Sequence, residues 1–201
     1  GFWQIATALT TASGMLFVTL AVSYVISVLE AVSQKRVFAS TVTGLGKRSE
    51  DFVRSGWDGT DFHALDLPLS TLATQLSTVI DQHRAYPILN YYHSSDRKNA
   101  ATVAVAIFDE ALTLLCHGVP PECQPNPALL RGARAATGSY VQTLNSASIR
   151  PVEEAPPPPN LDLLRTVGVP TTEEQAFAEA LDDLAERRRE LLGMVQADAW
   201  T

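Results

Sequence analysis

"FWQIATALTTASGMLFVTLAVSYVISVL" (residues 2–29) contains no Asp, Glu, Lys, Arg or His. As a helix it exceeds the roughly 20 residues that cross the hydrocarbon core of a bilayer, so it reads as a membrane span. It also carries Thr7, Thr10, Thr11, Ser13 and Gly14, which a plain lipid anchor does not need. In lipid, helices associate through small residues that let backbones approach. Ala6, Thr10 and Gly14 lie four apart and form one such stripe; Thr19, Ser23 and Ser27 form another. At about 100° per residue the two stripes face roughly opposite sides. Two packing faces suit a helix set between neighbours, or between a neighbour and a water-filled path. Gly14 also weakens the backbone by about 1 kcal/mol relative to alanine, which suits a bend. The plainer alternative is an anchor whose hydroxyls close on their own helix backbone. The pattern alone leaves both open.

The flanks orient the span. Lys35 and Arg36 follow it closely, then Lys47 and Arg48, and nothing basic precedes it. Positive residues stay cytoplasmic, so the chain after about residue 30 is expected in the cytoplasm beneath the cell inner membrane, with Trp3 at the outer interface. The chain opens with Gly and lacks the basic start of a signal peptide, so the run is expected to be a genuine transmembrane helix at the cut edge of a larger protein. A long buried helix in a soluble protein is the alternative.

Every charge in the chain falls after residue 29, with 22 acidic against 15 basic residues and a net charge of −7. That balance argues against nonspecific nucleic-acid binding, which needs a basic face. Two cysteines in a reducing compartment argue against a structural disulfide.

The remainder reads as helical, and the fold as all-α: one transmembrane helix, a cytoplasmic helical bundle, and a separate C-terminal helix. The span (1–34) is expected to continue as a juxtamembrane helix and connector (35–67). Gly44 and Gly46 are its first breakers, and "DFVRSGWDGTDFH" (51–63) is a mixed polar and aromatic connector. In the helical domain (68–149), Pro68 suits a first helical turn. Leu69, Leu72, Leu76, Val79, Ile80 and His83 then recur at three- and four-residue spacing, the pattern of one buried face. Pro87 ends that helix. A central helix is expected from about Lys98 to Gly118, where Pro120 and Pro121 enforce the stop; another starts at Asn126-Pro127 and runs to about Asn145. "RPVEEAPPPPN" opens a proline-rich tether (150–170), a semi-rigid spacer with no core of its own. The last helix (171–201) opens at Thr171-Thr172, with Glu174 and Gln175 placed for a capping box. Its apolar stripe is Ala176, Phe177, Ala180, Leu181, Leu184, Leu191 and Val195, and "ERRRELL" reads as its solvated face.

"GFWQIATALTTASGMLFVTLAVSYVISVLEAVSQKR" resembles the inner, pore-lining helix of bacterial potassium channels with two membrane helices per subunit. "QHRAYPILNYYHSSDRKNAATVAVAIFDEALTLL" (82–115) is similar to the helical region after the pore in the bacterial two-pore-domain potassium channel family. The likeness covers about residues 1–145, and its "AYP" and "FDEAL" pieces are specific only in combination. It implies a subunit of a homotetramer, in contact with lipid and with identical subunits, conducting potassium passively and without catalytic residues. The potassium ion is then cargo and no cofactor is implied. The chain begins just downstream of where the filter loop, whose carbonyls replace the ion's hydration shell, would stand. By the same likeness Gly14 matches the hinge glycine. The likeness also implies that Val18, Val22 and Ile26, at four-residue spacing, would line the inner pore as an apolar ring gating by dewetting. The alternatives are a single-span tethered interaction or signalling domain, and a cytosolic helical enzyme domain with a buried first helix.

Other groupings carry less. Cys116, His117 and Cys123, with His83 or His93, have ligand chemistry for zinc, but the cysteines are too far apart for a common zinc knuckle; Cys116 reads as a small apolar group on its helix. Asp81, His83, Arg84, Tyr86, Tyr91, Tyr92 and His93, with Asp109 and Glu110 on the next helix, have side chains for acid–base work. No nucleophile elbow, phosphate loop or metal signature accompanies them. A hydrogen-bonded seam between helices, or a subunit contact, is the better reading, with a pH or ligand sensor on His83 or His93 as a weaker one.

Overall fold

The computed structural model describes residues 1–91, 100–145 and 151–197, and among these every regular element is helical. Its spine is α1, Phe2–Leu45, 44 residues without a break. At 1.5 Å per residue it is about 66 Å long. The first 25 residues carry almost no internal contacts: Phe17, Val18, Val22 and Ile26 are all exposed. From Val28 the same helix enters the domain and buries Val28, Ala31, Phe38, Ala39 and Val42. The juxtamembrane stretch is therefore core. Gly44 stays helical and Gly46 supplies the stop, in extended backbone. A side chain at Gly46 would run into the backbone of Asp51 and Phe52, so the turn closes only on glycine.

The stretch expected as a connector folds into α2, Ser49–Ser55, which buries Phe52 and Val53; Phe62 is buried just beyond. Its apolar residues are too few to show a period, but three aromatic rings meet there. Phe108 packs edge-on against Phe38 at 6.3 Å and tilted against Phe52 at 5.8 Å.

Helix α3, Asp66–Ala85, buries the predicted face, Leu69, Leu72, Leu76, Val79, Ile80 and His83. It returns toward the exposed half of α1: Tyr86, just past its end, packs edge-on against Tyr24 at 5.8 Å. A 3₁₀ turn, Pro87–Tyr91, follows; Tyr92, His93 and the expected start near Lys98 lie outside the described residues. Helix α4, Ala101–Thr113, continues through a π turn to Gly118. It is long and apolar enough to span a membrane, but two-thirds of its apolar window is buried, and it is the centre of the domain. Helix α5, Pro127–Asn145, lies along α3, and the Asn126 carboxamide accepts from the Ala128 N–H at its start.

The proline-rich segment departs from the expected tether. It folds onto the domain, forms α6, Leu161–Arg165, and buries Leu161, Leu164 and Val169 in the main core. Polar contacts fasten it: the Asn160 N–H donates to Glu50 Oε1 at 2.9 Å, Arg188 Nη2 donates to the Pro157 carbonyl at 2.9 Å, and the Val152 N–H donates to the Arg189 carbonyl at 3.3 Å. The last expected helix is two, α7, Glu174–Asp183, and α8, Ala185–Ala197. The capping box does not form, because Thr171 accepts from Arg165 and Thr172 donates to the His117 carbonyl. Phe177, Leu181, Leu191, Met194 and Val195 are buried against the bundle; Ala176 is exposed. This end of the chain packs as part of the domain.

Candidate functional site at the junction of span and domain

The junction begins with which side of α1 the domain holds. Val28, Ala31, Phe38 and Val42 lie on one face, and stepping back at about 100° per residue puts Tyr24 on it too. Tyr24 is where Tyr86 docks, and a small cluster of Val28, Ala31 and Leu89, with Val32 and Tyr86 alongside, completes the grip. Val18, Val22 and Ile26 fall on roughly the opposite face by the same advance. They are 64%, 53% and 60% exposed. The domain holds one side of the helix and leaves the residues singled out as pore-lining untouched.

Gly14 has open space around it, with nothing within 4 Å of an added side-chain carbon. The two small-residue stripes are exposed or half-buried, and their hydroxyls close on the helix itself. Thr10 donates to the Ala6 carbonyl and Thr19 to that of Met15, both at 2.9 Å; Ser27 donates to that of Ser23 at 3.0 Å. Thr7 and Thr11 do the same one turn back, and Ser13 three residues back. A hydroxyl satisfied this way sits in lipid at little cost.

Behind the grip lies a buried ionic lock. Asp109 on α4 is 1% exposed. Arg187 reaches its Oδ1 at 2.6 Å, Arg134 at 3.0 Å, and the Thr137 hydroxyl donates to it at 2.7 Å. Burial by itself would raise this carboxyl's pKa, but hydrogen bonds from Arg187 and the charges of Arg134 and Arg187 outweigh it and hold the value below the ordinary aspartate range. Glu110 pairs through Oε1 with the buried Arg188 at 2.8 Å. There burial prevails and the pKa is raised, and Glu110 Oε2 is buried without a hydrogen-bond partner. A cavity of about 280 Å³ opens beside it, floored by Val103, Ile107 and Leu191 and edged by Lys47 and Arg188.

This corrects one reading. "ERRRELL" is not a solvated face throughout: Arg187 and Arg188 turn inward, Arg187 to join Arg134 on Asp109 and Arg188 to pair with Glu110. Asp109 and one carboxylate oxygen of Glu110 are thereby engaged by arginines. His83 is buried, its Nδ1 3.0 Å from the Val79 carbonyl and its ring edge-on to Tyr140. Arg84 reaches Thr143. The His83 ring and the Arg84 guanidinium thus both reach from α3 to α5. Asp81 lies exposed on the same helix. Cys116 is half-buried against the core and Cys123 is also a free thiol; no group of three metal-ligating side chains occurs among the described residues. His93 and Tyr92 lie outside those residues, as does the Tyr91 side chain.

The chain is similar to the uncharacterized membrane protein YdjJ of Bacillus subtilis (strain 168), with 41% identity over 199 residues. The match covers 99% of this chain and 58% of that protein. Together with the exposed apolar half of α1, it identifies the setting. This is a membrane protein. The chain spans a little over half the length of the curated relative it matches. No protein-family model matches the chain, and no solved structure does.

Proposed function

We propose that this chain belongs to a potassium-channel-like subunit, in which α1 is the inner helix of a homotetrameric pore and the helical domain is a cytoplasmic module for assembly or gating. The reading begins in the resemblance of residues 1–36 and 82–115 to such channels. The observation that carries it is the division of α1 into two faces. One side is gripped by the domain along Tyr24, Val28, Ala31 and Phe38; the other presents Val18, Val22 and Ile26 to whatever lies across from it. A pore helix needs that division, because a domain holding the axial side would block the path. The basic residues Lys35, Arg36, Lys47 and Arg48 orient the domain to the cytoplasm of the inner membrane. Conduction is passive, so the reading assigns no catalytic residue and no cofactor. Its test is potassium flux from liposomes holding the full-length protein; protein-dependent flux is expected, and its absence sinks the reading.

Gly14 supplies the sharper prediction. An added methyl meets nothing in the chain and strengthens the helix by about 1 kcal/mol. Gly14→Ala therefore straightens a hinge without disturbing packing within the subunit. Open probability is expected to fall roughly fivefold, the equivalent of that energy; unchanged gating in single-channel recordings would remove the hinge.

A second reading, a single-span tethered interaction domain, is favoured by the hydroxyls of the span closing on their own backbone. It predicts a monomer in lipid that passes no ion.

A further inference from the structure

The domain has an apolar turn at the depth where the span leaves the bilayer. With Trp3 in the outer interface, roughly 20 residues of helix cross the hydrocarbon, which places the inner boundary near Val22 and Ser23. Tyr24 then lies at the headgroup level that tyrosine favours, and Glu30, the first charge of α1, stands about 9 Å farther along the axis. The Tyr86 ring packs edge-on against Tyr24 at 5.8 Å, so the chain just past α3 is held at that same depth. Leu89 is fully buried against Val28 and Ala31 and pins the turn to α1. Pro87 and Ile88 between them face outward, and Ile88 is 40% exposed. Arg84, exposed one turn earlier on α3, brings positive charge to the same end of the domain, where lipid phosphates attract it.

We propose that the Tyr86–Leu89 turn is a second membrane contact, seating Pro87 and Ile88 among the lipid headgroups and upper acyl chains. The occupant of this patch is the bilayer because the turn is fixed to the span at the level where the bilayer ends. An exposed isoleucine beside a proline costs little there and gains burial. The turn then fixes the tilt of the domain beneath the membrane as well as its height. The proposal rests on α1 spanning a membrane and is independent of ion conduction.

A nitroxide at position 88 tests it in the full-length protein, reconstituted in liposomes of phosphatidylethanolamine and phosphatidylglycerol with native cysteines replaced. A second label at Ser70, exposed near the start of α3, reports water in the same protein. At position 88, collisions with dissolved oxygen are expected to exceed those with a water-soluble nickel complex several-fold, with the order reversed at Ser70. Equal nickel access at both positions overturns the proposal. So does a label at 88 shielded from both reagents, which signals a protein partner on the turn. A flux assay that fails while this pattern holds counts against the channel reading and leaves the membrane contact standing.

Discussion

Asp109→Ala is expected to lower the midpoint of thermal unfolding by roughly 6–12 °C, because it leaves Arg134 and Arg187 facing each other without an anion. Breaking one side of a buried ion pair costs about 3–5 kcal/mol. The low end applies here, since the two arginine side chains keep 24% and 22% of their surface exposed and can take up water. About 3 kcal/mol corresponds to that shift in a chain of this size. Asp109→Asn keeps an acceptor for Thr137 and loses only the charge, so it should fall between wild type and alanine. The pH dependence has a definite sign. Interactions in the fold hold the Asp109 pKa below its ordinary value, so its stabilisation is complete above the ordinary aspartate range and disappears as pH falls through the depressed value. The asparagine variant should therefore lose less stability than wild type on acidification. Circular dichroism melts of the full-length protein in detergent measure both effects; equal midpoints for wild type and alanine at neutral pH would mean that the lock holds nothing.

Phe108→Ala is expected to cost about 3–5 kcal/mol, the range for a fully buried aromatic whose cavity cannot collapse. Phe108 is the ring on which Phe38 of α1 and Phe52 of α2 both rest, and each of the three is fully buried. Its loss should loosen the hold of the domain on α1 more than the domain itself. Denaturant melts give the stability change. Hydrogen exchange locates it, with protection expected to fall along residues 38–45 and 49–55 ahead of α3 and α5. Uniform loss across the domain would show that α1 is no special partner of this core.

The legible part of the fold was legible for physical reasons. A 28-residue run without charge is longer than a bilayer core requires, and α3 showed its buried face because it is amphipathic with one side wet. Segments 51–63 and 150–170 were opaque: their apolar residues enter the core singly, Phe52, Phe62, Leu161 and Leu164, with no repeat to reveal them. The lock was hidden by distance. Arg187 lies 78 residues from Asp109, and a run of three arginines looks solvated until a buried carboxylate is known to face it. The Tyr24–Tyr86 contact had no local signal at all, since it joins the end of one helix to the middle of another. Val18, Val22 and Ile26 were singled out only through the family resemblance, and the structure adds that they lie away from the gripped face.

The central claim is that span and domain share one unbroken helix, so that movement of either is movement of both. Nitroxides at Ser13 and Ser40, both exposed on α1, measure it directly by pulsed dipolar spectroscopy in liposomes, with labelled protein diluted in unlabelled. Across 27 residues of continuous helix the expected separation is about 40 Å, as a single narrow distribution. A broad distribution, or a peak more than about 10 Å shorter, would mean that the helix breaks between membrane and domain, and that the grip on α1 transmits nothing.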